Sequence, residues 1–573
     1  MINDDMPASM MLDPVEGQPR AWFEFYPPNV DKVIQAPPLA SIPAMVSRAA
    51  EQYADRTAFS NFGSSLTFRE VDELATQFAA FLQHDLGMQR GDRIALQMPN
   101  IMQYPVALFG AQRAGMIVVN ANPLYTVSEM REVFADADPV AIVVLANFAE
   151  KVAEVLPDTN IRHTIVTQVG DLLSQPKGTI MNLAAKYLKK MVPAYSLPNE
   201  IRFNDALRAG RGQSVTDPQL TTDDTAFLQY TGGTTGGTKA AILTHGNMLA
   251  NQAQFIGQMR AALGDGASTV VAALPLYHVF SLTVNCIGFF LFGGHNVLIT
   301  NPRDVPAFVK TLARTKPNAL IVVSTLAGAL LDSEDFAQLD LSELKITVAG
   351  GMALRSSVAE RWKKQTGQDI IEGYGLTEAS PVVTVNPVHL PPRLGTIGVP
   401  LPSTDVKVVD DDRNEVAHGE PGELAVRGPQ VMRGYWQQPE ETSKVLTDDG
   451  WLLTGDIATI DDDGYVTIVD RKKEIILVSG FNVYPGELED AAMQHSKVSE
   501  AGAIAVDDEK AGEVPKLFVV RRDASLTESE LVEFLRTRLA GYKRPRYIAF
   551  RDELPKTNVG KVLRRALKES DAD

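Results

Sequence analysis

Tyr230-Thr231-Gly232-Gly233-Thr234-Thr235-Gly236-Gly237-Thr238-Lys239 lies between two strand-like runs, Ala226-Phe227-Leu228-Gln229 and Ala240-Ala241-Ile242-Leu243-Thr244. Its glycines let backbone N–H groups approach an anion closely, its threonines add hydroxyl donors, and Lys239 adds a cation, so the loop suits a polyphosphate. A glycine-rich turn with no ligand is the plainer alternative and stays open at this point. The G-x-x-x-x-G-K-[ST] loop fits poorly: Gly232 and Gly237 have its spacing, but Thr238-Lys239 reverses the next two residues. A strand also follows where that motif opens a helix, which argues against a Walker-type NTPase.

The surroundings agree with a sheet-borne loop. From about residue 40 to 390, β-branched runs such as Arg93 to Met98, Ala141 to Leu145, Asn296 to Thr300 and Ala319 to Val323 alternate with helix-period segments. That alternation predicts βαβ units around buried, largely parallel sheets. Asp304 before Val305-Pro306 predicts a helix start, with Phe308 and Leu312 on its apolar face. Near residue 392 the pattern changes to short strands, Asp405 to Val409, Gly422 to Val426 and Gly464 to Val469, separated by Gly, Asp and Pro turns. These predict a small antiparallel unit. Further on, Thr527 is placed to cap a helix over Glu528 to Ala540. The tail then turns basic through Lys543, Arg544, Arg546, Arg551, Lys556, Lys561, Arg564, Arg565 and Lys568.

Length and composition bound the function. The 573 residues, 45% hydrophobic and 22% charged, can bury substantial cores without staples and are not a disordered composition. With 54 basic against 71 acidic residues the net charge is −17, an overall field that repels nucleic-acid phosphates and anionic lipid and so disfavours nucleic acid as a partner. Cys286 is the only cysteine, so no intrachain disulfide and no multi-cysteine zinc site can form. The N-terminus has neither the basic nor the apolar region of a signal peptide, and the most apolar stretches, Val279 to Gly294 and Ala319 to Leu331, are too short or too interrupted for a transmembrane segment. The expectation is a cytoplasmic protein, with peripheral membrane contact and a homodimeric state left open.

Further motifs follow in order: Gly350-Gly351-Met352, Glu372-Gly373-Tyr374-Gly375-Leu376-Thr377-Glu378, Trp451-Leu452-Leu453-Thr454-Gly455-Asp456, Asp470-Arg471-Lys472-Lys473 and Asn558-Val559-Gly560-Lys561. With the threonine-glycine loop, this set resembles the adenylate-forming superfamily of acyl-CoA synthetases, luciferases and peptide-synthetase adenylation domains, from about residue 40 to 567. Pro275 to Phe280, Val478 to Pro485 and Leu554 to Arg565 most resemble bacterial long-chain fatty-acid–CoA ligases. The resemblance implies an α/β fold: a body over residues 1–472 of two α/β subdomains plus a β-barrel-like unit at about 392–470. A mobile α+β cap over residues 473–573 would follow.

The resemblance also implies an ATP-dependent fatty-acid–CoA ligase acting through acyl-AMP, with ATP and CoA as co-substrates and Mg²⁺ as cofactor. Thr231, Gly232, Gly233, Thr234, Thr235, Gly236 and Lys239 would bind phosphates. Gly350, Gly351, Met352, Glu372, Gly373 and Tyr374 would form the adenine side, and Asp456 and Arg471 would take the ribose. Thr377 would touch the α-phosphate, Thr231 and Glu378 would serve Mg²⁺, and His278 would sit near the reacting carboxylate. Lys561 would bridge that carboxylate and the α-phosphate, as a compact cation on a long stem can. Lys473 would be the hinge, and Ser479, Gly480 and Phe481 would face CoA after rotation of the cap.

Four positions depart from the family. Ala240 replaces a usual glycine after the loop lysine, which could perturb the loop; Ala327-Gly328 replaces Phe-Asn, and Ala349 replaces a glycine. In the acyl-pocket region the Ala327-Gly328 change is expected to enlarge a cavity and Ala349 to trim it, which leaves long- and medium-chain acids both in play. An acyl-AMP ligase serving a carrier protein, and a non-catalytic acyl-nucleotide-binding protein, are the competing readings.

Overall fold

The computed structural model describes residues 20–35, 37, 39–231, 238–264, 267–479, 481–508, 511–557 and 560–572. Two large sheets dominate. One has nine strands, of which six form a parallel core, flanked by the antiparallel Val382–Val385 and Val399–Pro400 at one edge and Ser64–Thr67 at the other. The other has seven, parallel except for Lys239–Thr244 at its edge. Strands such as Ala141–Leu145 and Ala319–Val322 are buried at every residue, as sheets covered by helices on both faces require. The α/β expectation holds, and the runs read as strands are strands to within a residue or two at each end.

Local signals set the helices. Asp304 accepts from the Ala307 N–H at 3.2 Å, and Phe308 and Leu312 are buried below it. Thr527 caps its helix through the Glu530 N–H, but that helix ends at Arg536, short of the expected Ala540. The chain tightens there, with the Leu539 N–H on the Leu535 carbonyl, and this carries Leu539 into the small domain's core. Val279 to Phe292 is a buried helical segment, not a membrane span. Among the described residues no helix is long and apolar enough to cross a membrane.

Asp405–Val409, Gly422–Arg427, Leu452–Ile460 and Val466–Arg471 form a four-stranded antiparallel sheet, the β-rich unit of the sequence reading. The one-turn helix Lys472–Glu474 links it to a five-stranded sheet over the C-terminal residues. Residues 20–34, which no motif covered, form a strap over the β-rich unit. Trp22 lies on Gly464, Phe25 meets Tyr465 edge-on at 5.1 Å, and the Tyr26 hydroxyl donates to the Pro400 carbonyl at 2.6 Å. Arg20 pairs with the buried Asp405 at 2.5 Å, and Arg427 holds the other oxygen at 3.2 Å.

Asp405 therefore neutralises two guanidinium groups. Asp405→Asn leaves both without a carboxylate, which costs on the order of 3 kcal/mol. Calorimetry should show the unfolding midpoint fall by about 5 °C, and an unchanged midpoint would show that the strap carries no load.

Candidate active site

In open parallel sheets, ligands bind beyond the carboxyl ends of strands. Here the strands Thr225–Thr231, Ile346–Ala349 and Ile370–Gly375 end at Thr231, at Gly350-Gly351 and at Tyr374-Gly375, while Thr269–Ala272 runs on to His278. All these residues line one cavity of about 1000 Å³, which also takes in Thr377, Glu378, Lys239, Arg471, Lys473 and Lys561. Loop and cap residues that are distant in sequence are thus brought together.

The polar half is backed by Asp456, which does not itself line the cavity but is buried behind the lining residues Tyr374 and Arg471. Antiparallel pairing sets Asp456 opposite Arg471, so the Arg471 Nε reaches Asp456 Oδ1 at 2.6 Å, and the Tyr374 hydroxyl donates to Oδ2 at 2.5 Å. Below it, the Gly455 N–H donates to Glu423 at 3.0 Å, and Lys472 holds the other Glu423 oxygen at 3.0 Å. A buried carboxylate oriented from two sides is suited to accept hydrogen bonds from a diol.

Lys239 pairs with Glu441 and lies 5.2 Å from the centre of the Tyr435 ring. Lys239 and Lys444 hold the Glu441 carboxyl down at about 2. The Tyr435 hydroxyl donates to Glu378 at 2.8 Å, tying the phosphate side to the metal candidate. Tyr435 and Glu441 were not singled out from sequence, because each lies in a stretch without a motif.

The other half is apolar. Phe255 and Met259, one helical turn apart, join Val284, Ile321, Ile346 and Val348 along it. Phe280 stands at the junction, where a Cβ on Gly350 would come within 3.1 Å of its ring, so glycine keeps this wall flush. The Nδ1 of His278 accepts from the Phe280 N–H at 3.3 Å, and burial pushes the imidazole down to about 4, so it is neutral at pH 7.

Lys561 enters from the small domain. Burial, then the Arg471 guanidinium, lowers its ammonium from the usual lysine range, against the opposing pull of Glu474 and Asp456. Its loop is seated on the body at Gly560, whose φ is +84° and where a Cβ would lie 2.4 Å from the Thr325 hydroxyl. Three residues on, Arg564 contacts Glu474, Glu489 at 2.9 Å and Asp470 at 3.3 Å. These carboxylates stand on both sides of Lys472–Glu474, so one buried guanidinium spans the link between the sheets.

Not every sequence-predicted residue reaches the cavity. Glu372 accepts from the Leu354 N–H at 2.9 Å and lies near Asp490 of the small domain; burial pushes its carboxyl up to about 7. Alternation puts Glu372 on the same strand face as Tyr374, but it lies two residues back from Tyr374 along Ile370–Gly375, where its carboxylate is taken up by the Leu354 N–H. Met352 packs in the core beside the cavity. Ser479 does not line it, and Phe481 is exposed, packed on Tyr542 with ring centres 5.1 Å apart. Gly232, Gly233, Thr234, Thr235, Gly236 and Gly480 lie outside the described residues.

The departures resolve in physical terms. Ala240 is a buried strand residue paired with Tyr230, and the loop it was expected to perturb lies outside the described residues. Ala327 packs with Trp362 and Leu330 in a separate core, and a Cβ on Gly328 would meet only Val358, so neither widens the cavity. Ala349 does line it.

Residues 46–436 match the AMP-binding enzyme family and residues 487–561 match the AMP-binding enzyme C-terminal domain. The chain is 52% identical to the long-chain-fatty-acid–CoA ligase of Yersinia pestis over 96% of this chain and 98% of that protein. It is also 52% identical to the ligase of the same name from Escherichia coli O157:H7, with the same coverage. Among solved structures, the anthranilate CoA ligase AuaEII in complex with anthranoyl-AMP superimposes with a TM-score of 0.82 at 27% identity, covering 94% of this chain and 98% of that one.

Two predictions follow from this geometry. A carboxyl raised from 4.5 to about 7 makes the folded state bind more protons than the unfolded state between those values, so Glu372 erodes stability as pH rises through 7. Glu372→Gln should remove that erosion, on the order of 3 kcal/mol above pH 7. Melting scans at pH 5 and pH 8 should show the wild type alone losing stability through this group. Separately, Arg564→Met should free the link at Lys472–Glu474, raising the rate of proteolytic cleavage there about ten-fold. Cleavage at the wild-type rate would show that the ion cluster does not hold the two parts together.

Proposed function

Since the chain belongs to the AMP-binding enzyme family, we propose that it is an AMP-forming acid–thiol ligase that converts a long- or medium-chain fatty acid, ATP and CoA into acyl-CoA, AMP and pyrophosphate. One observation carries this reading: a single cavity joins Tyr374, Arg471 and Lys561, with Asp456 buried behind the first two, to an apolar arm lined by Phe255, Met259 and Val284. Such an arm suits an alkyl chain, each buried methylene contributing about 0.8 kcal/mol.

In the first step a fatty-acid carboxylate oxygen bonds to the α-phosphorus of ATP as the bond to the bridging oxygen breaks and pyrophosphate leaves. An anion attacks a polyanion, so fixed cations must offset the charge that gathers between them. Lys561 bridges the two, Lys239 and the loop from Thr231 take the outer phosphates, and Thr377 donates at the α-phosphate. Asp456 accepts from the ribose hydroxyls with Arg471 beside it, and Tyr374 with Gly350 and Gly351 borders the base. Neutral His278 orients the carboxylate at the mouth of the apolar arm.

Mg²⁺ fits this donor set. Among the described residues no group of three or more His, Cys, Asp or Glu is gathered to hold a metal, and Glu378 is a single carboxylate with capacity left beyond its bond from Tyr435. A small hard cation is commonly held by one or two carboxylates and substrate phosphates. Glu378, with Thr231 nearby, would hold it, and it would supply charge neutralisation at the phosphates.

The second step needs a different wall around the acyl-adenylate. The body spans residues 1–472 and the cap 473–573, and turning about Lys473 withdraws Lys561 and brings the face of Ser479, Gly480 and Phe481 to the site. The CoA thiol, losing its proton, then attacks the acyl carbon, and AMP leaves. The reaction substrates meet the chain in the cytoplasm, at or near a membrane surface.

Incubation with ATP, Mg²⁺, CoA and acids of graded length, with pyrophosphate and thioester measured separately, tests the reading. Thioester should form best with long or medium chains. Pyrophosphate without thioester would point to carrier-protein transfer, and neither product to a binding protein. Lys561→Ala should slow acyl-AMP formation by roughly a hundred- to a thousand-fold yet leave thioester formation from supplied acyl-AMP within a few-fold; equal loss in both steps would overturn the role given to Lys561.

A further inference from the structure

Five large apolar side chains stand exposed within one short segment: Ile180, Leu183, Tyr187, Leu188 and Met191, from 53% to 77% accessible. The segment is helical, Lys177–Leu183 continuing into Ala184–Leu188 with a wider turn, and it is firmly docked by its opposite face. Gly178 packs on the Gly170 carbonyl, closely enough that a Cβ would lie 2.3 Å from it. Asn182 accepts from the Gly170 N–H at 2.7 Å and donates to Asp171 at 3.0 Å, while Met181 joins the main core. Positions 178, 181 and 182 face inward, so 180, 183 and 187 face out by helical geometry. The exposure is built in.

Charge identifies what this face meets. Between Asp171 and Glu200 there is no acidic residue but there are four lysines, Lys177, Lys186, Lys189 and Lys190, in a chain of net charge −17. Lys186, Lys189 and Lys190 are exposed beside the apolar side chains, and Lys177 and Arg314 flank the adjoining turn at Phe62-Gly63, where Phe62 is also exposed. A protein partner fits poorly, because interface cores are depleted in lysine. A second copy meeting the same face by two-fold symmetry would bring lysines against lysines. Apolar residues with an interfacial tyrosine and flanking lysines are instead the pattern of a helix lying in a bilayer interface.

We propose that the face of residues 177–191 docks on an anionic bilayer surface, inserting Leu183, Tyr187, Leu188 and Met191 among the acyl chains while Lys186, Lys189 and Lys190 pair with lipid phosphates. It rests on the fatty-acid reading for its use, since acids partition into bilayers, but its test reads binding without turnover.

The test is flotation of the full chain with vesicles of phosphatidylcholine alone and of phosphatidylcholine mixed with phosphatidylglycerol. The wild type should float with the mixed vesicles, be released by salt, and stay behind with pure phosphatidylcholine. The variant carrying Lys186→Gln, Lys189→Gln and Lys190→Gln should bind about a hundred-fold more weakly, roughly five-fold per lysine. Leu183→Asn with Leu188→Asn should lose roughly a hundred-fold or more. Both variants should retain wild-type melting and wild-type ligase activity on a dissolved medium-chain acid. Failure of the wild type to float, or variants floating like it, would overturn the proposal whatever the ligase assay shows. So would a concentration-dependent dimer in sedimentation that the same substitutions abolish, since that would give the face to a second copy.

Discussion

Arg564 gathers Asp470, Glu474 and Glu489 around one guanidinium, and with that contact it decides where Lys561 stands in the cavity. Asp470 belongs to the end of the β-rich sheet and Glu489 to the small domain, with the turn Lys472–Glu474 between them. A buried guanidinium cannot be left unpaired without a cost of several kcal/mol. The orientation that satisfies it is also the one that lowers Lys561 into the cavity, three residues upstream. The pairing of Asp456 with Arg471 is set by the same strand, so that pair and Lys561 share one support.

The cavity has to reconcile opposite demands. A net charge of −17 repels the polyanionic substrates proposed here, yet cations are concentrated where they are needed: Lys239, Arg471, Lys473 and Lys561 all line the same space. Lys239 is meanwhile paired with Glu441, so phosphate would have to displace a carboxylate rather than meet a bare ammonium. That exchange keeps a cation in place without leaving it uncompensated, and favours the ligand with more negative charge.

Much of this was legible in the sequence because its signals are local. Strand runs, the cap at Asp304 and the glycine pairs each declare themselves within a few residues, and the motif order carried the family. What stayed hidden depends on direction or distance. Glu372 sits inside a motif, yet it stands back from the strand's carboxyl end and its carboxylate is taken by the Leu354 N–H near Asp490, a partner that the motif does not contain. Ala327 and Gly328 lie near the right strand end but face another core. Tyr435, Glu441 and Arg564 act through partners dozens to hundreds of residues away, and a single sequence carries no mark of such pairings.

The strap of residues 20–34 gives this arrangement its footing. It fastens the edge strand Val399–Pro400 of the nine-stranded sheet to the β-rich unit through Tyr26, Trp22 and Arg20, and the Ile34 N–H adds a bond to Ser403 at 3.0 Å. That unit is the pedestal on which the small domain would swing. With the pedestal bolted to the main frame, a turn at Lys473 of the kind proposed would be motion of the cap alone. Removing Arg20 would therefore loosen a bearing that serves the far end of the sequence.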